Sequence, residues 1–115
     1  MTDLFSPVEI KGMRVPNRFM RSGTYDGTPD AEGKVTDASV AIYRNLAQGG
    51  VGLIVTASAF ISPRGRGARS QYGIHSDEMI PGLIRLTKAA HAAGANIAAQ
   101  INHTGILIRI DPRPG

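Results

Sequence analysis

The sequence has no cysteine and no tryptophan, and aromatic residues make up only 5% of it. Without cysteine there are no disulfides, thiolate nucleophiles or cysteine-ligated metals, and the chain fits a reducing, cytoplasmic setting. No apolar run approaches the roughly 18 residues of a membrane span. The opening stretch MTDLFSPVEI lacks the basic and apolar regions of a signal peptide. No GxxxxGK[ST] occurs, and no GxGxxG stands after the first strand candidate. GRG at 65–67 is the nearest match, and it lacks the helix that a phosphate-binding loop requires. The histidines, His75, His91 and His103, share no ligand spacing, so no metal site is expected.

What remains is a chain of 115 residues, 42% of them hydrophobic, which is enough for one ordered domain. Its net charge is +4, and part of the basic excess is clustered. Arg64, Arg66 and Arg69 fall in SPRGRGARS, and Arg109 and Arg113 fall near the end. No helix has a basic face, and three Phe and three Tyr form no stacking platform. Loop solvation or anion contacts therefore account for these arginines better than nucleic acid does.

The chain is punctuated as an α/β sequence. Val8–Ile10 and Met13–Val15 flank Lys11-Gly12 and predict a small hairpin. RFMRSG, residues 18–23, predicts a short strand, and TYDGTPDAEGKVT predicts a loop. Thr36 suits a helix N-cap, with Val40, Tyr43, Leu46 and Ala47 as the buried stripe and Gly49-Gly50 as the stop. VGLIVTASAF, 51–60, is a continuous apolar run and predicts a strand covered on both faces. ISPRGRGARSQYGIHSD predicts a second long loop. IPGLIRLTKAAHAAG predicts a helix with Pro81 in its first turn and Leu83, Leu86, Ala90 and Ala93 inward. ANIAAQINH predicts a third buried strand. Its closing stretch AAQINHTG, 98–105, holds Gln100, Asn102, His103 and Thr104, a polar cluster that could bind a metal or another ligand, do acid–base chemistry or cap the strand.

The strand-to-helix loops are long and the helix-to-strand turns are short. In parallel α/β folds function gathers at the C-terminal ends of the strands. Three parallel strands with two open edges are incomplete, and a whole (β/α)8 barrel needs about 250 residues. The residues alone leave three readings open. They are part of a larger barrel, a half-barrel that self-associates through exposed strand edges, and a small anion- or RNA-binding module using Arg64, Arg66 and Arg69.

Three segments carry a specific resemblance. LFSPVEIKGMRVPNRFMRSGTYDG, YRNLAQGGVGLIVTASAF and SDEMIPGLIRLTKAAHAAGANIAAQINHTG follow one another from Leu4 to Gly105. Together they resemble the start of the old yellow enzyme family of NADH:flavin oxidoreductases. The resemblance implies the N-terminal part of a (β/α)8 TIM barrel: a bottom hairpin plus about three parallel βα units. That portion spans residues 1–115, with 106–115 as a tail of unassigned structure. It implies FMN as cofactor, NADH or NADPH as reductant, and a small-molecule substrate such as an activated alkene.

The same resemblance assigns residues. Ser22, Gly23, Thr24 and Tyr25, at the end of strand one, match positions lying against the flavin. Relatives often have proline at Gly23, and a small polar residue or cysteine that tunes the flavin at Tyr25. Ala57 matches a position whose backbone contacts the flavin, and Thr56 replaces a glutamate found in many relatives. Gln100 matches the glutamine that reads the flavin's pyrimidine edge, since a carboxamide offers both a donor and an acceptor. His103 is assigned to orienting its loop or contacting substrate, as Tyr25 is to the substrate side. Ile106 stands where relatives often have arginine. In the family, the substrate-binding His/His or His/Asn pair and the proton-donating tyrosine come after strand four, and the FMN-phosphate loops follow strands seven and eight. No catalytic residue is therefore expected in this chain, and the chain alone is expected neither to retain FMN tightly nor to turn over.

Overall fold

The computed structural model describes residues 3–107, so Arg109, Arg113 and most of the 106–115 tail lie outside the described residues. Strands β1 (Val8–Ile10) and β2 (Met13–Val15) form the expected antiparallel hairpin, with Val8 opposite Val15. Its turn residues both have positive φ, 46° at Lys11 and 87° at Gly12. That is the mirror-image turn whose twist suits a two-residue hairpin. The Arg18 guanidinium donates to the carbonyls of Ser6 and Pro7, each at 3.1 Å. Asn96 Nδ2 donates to the Arg14 carbonyl at 2.9 Å and fastens the hairpin beneath the sheet.

The sheet has four strands, β3 (Met20–Arg21), β4 (Leu53–Phe60), β5 (Tyr72–Gly73) and β6 (Asn96–Asn102), with β3, β5 and β6 each parallel to β4. Leu53 pairs with both Met20 and Asn96, and Phe60 pairs with both Gly73 and Asn102. One edge of β4 therefore carries β6, and the other is shared by β3 below and β5 above. Strand β5 lies inside the stretch read from sequence as a plain loop. Two residues are too few for any hydrophobic period to show.

Helix α1 (Asp37–Gln48) starts at Thr36 as expected. Thr36 Oγ1 accepts from the Ser39 amide, and the Ser39 hydroxyl accepts from the Thr36 amide. These bonds satisfy two donors that a helix start leaves open. Helix α2 (Ile80–Ala92) has Pro81 in its first turn. Tyr43 and Ala47 from α1 and Leu86 and Ala90 from α2 pack on Ile54, Ala57, Ala59 and Tyr72 of the sheet. No helix among the described residues is long and apolar enough to cross a membrane.

Strand β6 departs from expectation. Ala98, Ala99, Gln100 and Ile101 are exposed, Ile101 by 67%. Only the β4 side of β6 is paired, and among the described residues nothing covers its free edge or the face turned away from the helices. The apolar composition of β6 therefore does not report burial here. In β4, likewise, Val55, Thr56 and Ser58 are only half-buried.

Candidate functional site

The upper ends of β3, β4 and β6 converge. Pairing of β4 with β6 passes from Val55–Ala98 to Ser58–Gln100, so Thr56 and Ala57 stand opposite the single residue Ala99. Such a bulge bends the strand and re-aims its side chains. Thr56 Oγ1 accepts from the Gln100 backbone N–H at 3.2 Å. Gly23 closes the group. A Cβ there would collide with Gln100 Oε1 and lie 3.0 Å from the Thr56 carbonyl oxygen, so only glycine permits this approach. The Gln100 carboxamide is exposed and makes no hydrogen bond among the described residues.

The other sequence-predicted positions surround this point. Ser22 and Thr24 are exposed on the segment leaving β3. Thr24 Oγ1 accepts from Arg21 Nε and donates to the Ser22 carbonyl. Tyr25 is 62% exposed, with its ring beside Gly27. Ala57 is 4% exposed, and its N–H donates to Tyr43 Oη at 2.8 Å. Its amide is thus engaged on the helix side, which leaves only the carbonyl for a ligand.

His103 lies against the 61–71 loop. Its ring packs on Gly65 so closely that a Cβ there would collide with it, and the Thr104 N–H donates to the Gly65 carbonyl at 2.9 Å. His103 Nδ1 accepts from the Gly105 N–H, which puts the ring proton on Nε2. Gln71, 4% exposed, was not singled out from sequence. Its Oε1 accepts from the Gly67 N–H at 2.8 Å, and its Nε2 donates to Ser58 Oγ at 2.9 Å. It latches the loop to the end of β4. Arg66 is turned inward. It donates to the carbonyls of Ala31, Ala68 and Arg69, and its guanidinium lies 5.2 Å from the Phe60 ring centre. His75 stacks on the same ring at 4.9 Å, and His91 is exposed.

A second cluster underlies the site, and sequence reasoning missed most of it. Asp26 Oδ2 accepts from Tyr43 Oη at 3.0 Å and Tyr72 Oη at 3.1 Å. Its Oδ1 accepts from the Thr28 N–H at 3.1 Å and the Thr28 hydroxyl at 2.9 Å. Burial pushes both phenols above the ordinary tyrosine pKa, so they stay protonated donors. The sequence spacing places Tyr43 in a buried stripe. The available signal was its hydroxyl, because a phenol turned into a core needs a partner.

Comparison with known proteins identifies the family and the fold. Residues 3–114 match the model of the NADH:flavin oxidoreductase / NADH oxidase family. An NADPH dehydrogenase of Bacillus subtilis is 36% identical over 103 residues, covering 89% of this chain and 30% of that protein. A 2-naphthoyl-CoA reductase solved in complex with 2-naphthoyl-CoA superposes with a TM-score of 0.89 at 33% identity, covering 92% of this chain and 16% of that one. An old yellow enzyme homologue from Zymomonas mobilis gives 0.80 at 28% identity, covering 87% and 28%. The hairpin and parallel strands are the N-terminal part of a TIM barrel, left unclosed among the described residues. The chain spans a third or less of the length of the relatives it matches. It belongs to the NADH:flavin oxidoreductase / NADH oxidase family.

Proposed function

We propose that the ends of β3, β4 and β6 form one side of an FMN site in an oxidoreductase of the old yellow enzyme type. In that role FMN carries hydride from NADH or NADPH to a small-molecule acceptor, such as an activated alkene. The observation carrying this reading is the Gln100 carboxamide, unpartnered and set against Gly23 and Thr56. A flavin's pyrimidine edge has an N–H flanked by carbonyl oxygens, and a carboxamide complements it with one acceptor and one donor. Ser22, Gly23 and Thr24 add small residues along the same rim, with Ser22 and Thr24 exposed. Ala57 contributes a carbonyl rather than an amide.

This chain's residues bind and orient. Gln100 sets the rotation of the ring, Gly23 allows close approach, and the latched 61–71 loop shields the strand ends. Tyr25 and His103 face the substrate side, with His103 Nε2–H available as a donor. A cytoplasmic setting suits a cysteine-free chain using a nicotinamide reductant. The free edge of β6, with Ile101 exposed, is the expected route of self-association, which light scattering would show as a mass above the monomer. The functional test is FMN titration of the chain and of Gln100→Leu, followed by flavin fluorescence. Two lost hydrogen bonds predict an affinity weaker by about tenfold. Equal affinities would remove Gln100 from the site.

A further inference from the structure

The Asp26 cluster is larger than holding a loop requires. Four donor contacts converge on one half-buried carboxylate: two from Thr28 on Oδ1, and one phenol each from Tyr43 and Tyr72 on Oδ2. A carboxylate is acceptor-only and satisfies them all. An asparagine could not. In one orientation its NH2 would face the Thr28 N–H, and in the other it would face both phenol protons. The carboxylate thereby fixes the direction of the Tyr43 hydroxyl. Because that hydroxyl must donate to Asp26, its lone pair is left to accept from the Ala57 N–H at 2.8 Å. Ala57 is half of the β4 bulge, and the other half, Thr56, holds the Gln100 backbone through its hydroxyl.

We propose that Asp26 is a positioning residue for the flavin edge, acting through Tyr43 and the Thr56–Ala57 bulge to set the place of Gln100. This rests on the reading of Gln100 as the residue that meets the flavin. Asp26 itself makes no hydrogen bond to Gln100 among the described residues and acts through Tyr43 and the bulge. Tyr72 supplies the contrast. It donates to the same oxygen but makes no hydrogen bond to the Ala57 amide among the described residues, so the hydrogen-bonded path runs through Tyr43.

The test compares Asp26→Asn, Tyr43→Phe and Tyr72→Phe in the whole chain by amide hydrogen exchange, with FMN titration alongside. Asp26→Asn and Tyr43→Phe are expected to speed exchange at Ala57 and Gln100 at least about tenfold more than at Ile54, whose buried amide reports the change in global stability. Tyr72→Phe is expected to keep Ala57 and Gln100 within about twofold of the change at Ile54. In FMN titration the first two variants are expected to lose affinity and Tyr72→Phe to keep it. If all three variants speed exchange everywhere alike, the cluster is only a structural knot and the proposal is overturned. It is equally overturned if Asp26→Asn leaves Ala57 and Gln100 protected. If the unmodified chain shows no FMN response while the exchange pattern holds, the flavin reading fails and the coupling from Asp26 to Gln100 stands.

Discussion

Replacing Tyr43 with phenylalanine isolates one oxygen atom at the centre of the fold. The ring keeps its place among Ala47, Ile54 and Leu86, so little packing is lost. Two hydrogen bonds vanish, one donated to Asp26 at 3.0 Å and one accepted from the Ala57 N–H at 2.8 Å. Their consequences differ. Asp26 retains the contacts from Tyr72 and Thr28 and is only half-buried, so water can replace the missing donor. The Ala57 amide is 4% exposed and has nowhere else to turn. A buried donor without a partner costs about 1–3 kcal/mol, and loss of the charge-assisted bond to Asp26 adds about 1 kcal/mol. The expected destabilisation is about 2–4 kcal/mol, against a total of about 5–15 kcal/mol for a typical domain. Urea unfolding followed by circular dichroism would show a lower midpoint at constant slope. A loss below about 0.5 kcal/mol would mean that the Ala57 amide does not depend on that oxygen.

Three further outcomes follow from the same geometry. Gly23→Ala should displace the Gln100 carboxamide and weaken FMN binding by about tenfold with little change in the urea midpoint, because the nearest obstruction is a flexible side-chain end. Gln71→Ala should leave the Gly67 N–H and Ser58 hydroxyl without their partner, cost about 2 kcal/mol, and speed proteolysis within residues 61–71. Both buried phenols have raised pKa values, so they are neutral in the folded chain where an unfolded tyrosine would ionise. Their stabilising effect is complete below about pH 10 and lost as pH rises beyond it, by at most about 1.4 kcal/mol per unit for each phenol. Tyr72→Phe should flatten that alkaline limb in a pH series of unfolding curves.

Regular elements were legible where a local rule sufficed. Thr36 and the spacing of Val40, Tyr43 and Ala47 located α1, and Lys11-Gly12 located the hairpin turn. The convergence of the strand ends was legible from the long strand-to-helix loops, and Gln100 was proposed through resemblance rather than periodicity. Non-local features were not legible. Asp26 and Tyr72 meet across 46 positions, and nothing near either residue announces the other. The bulge at Thr56–Ala57 exists only relative to β6, so a single strand cannot show it. The exposure of Ile101 depends on which strands are present beside β6, and an apolar run reads the same with or without a neighbour.

In the proposed function, Gln100 and the end of β3 together meet a flavin. Backbone amide shifts recorded while FMN is added to the isotopically labelled chain test it directly. Shifts are expected to concentrate at Ser22–Tyr25, Thr56 and Gln100, to saturate together and to fade in Gln100→Leu. Shifts confined to the outer helix surface around Arg44, Arg85 and Lys88, or no shifts at all, would contradict it.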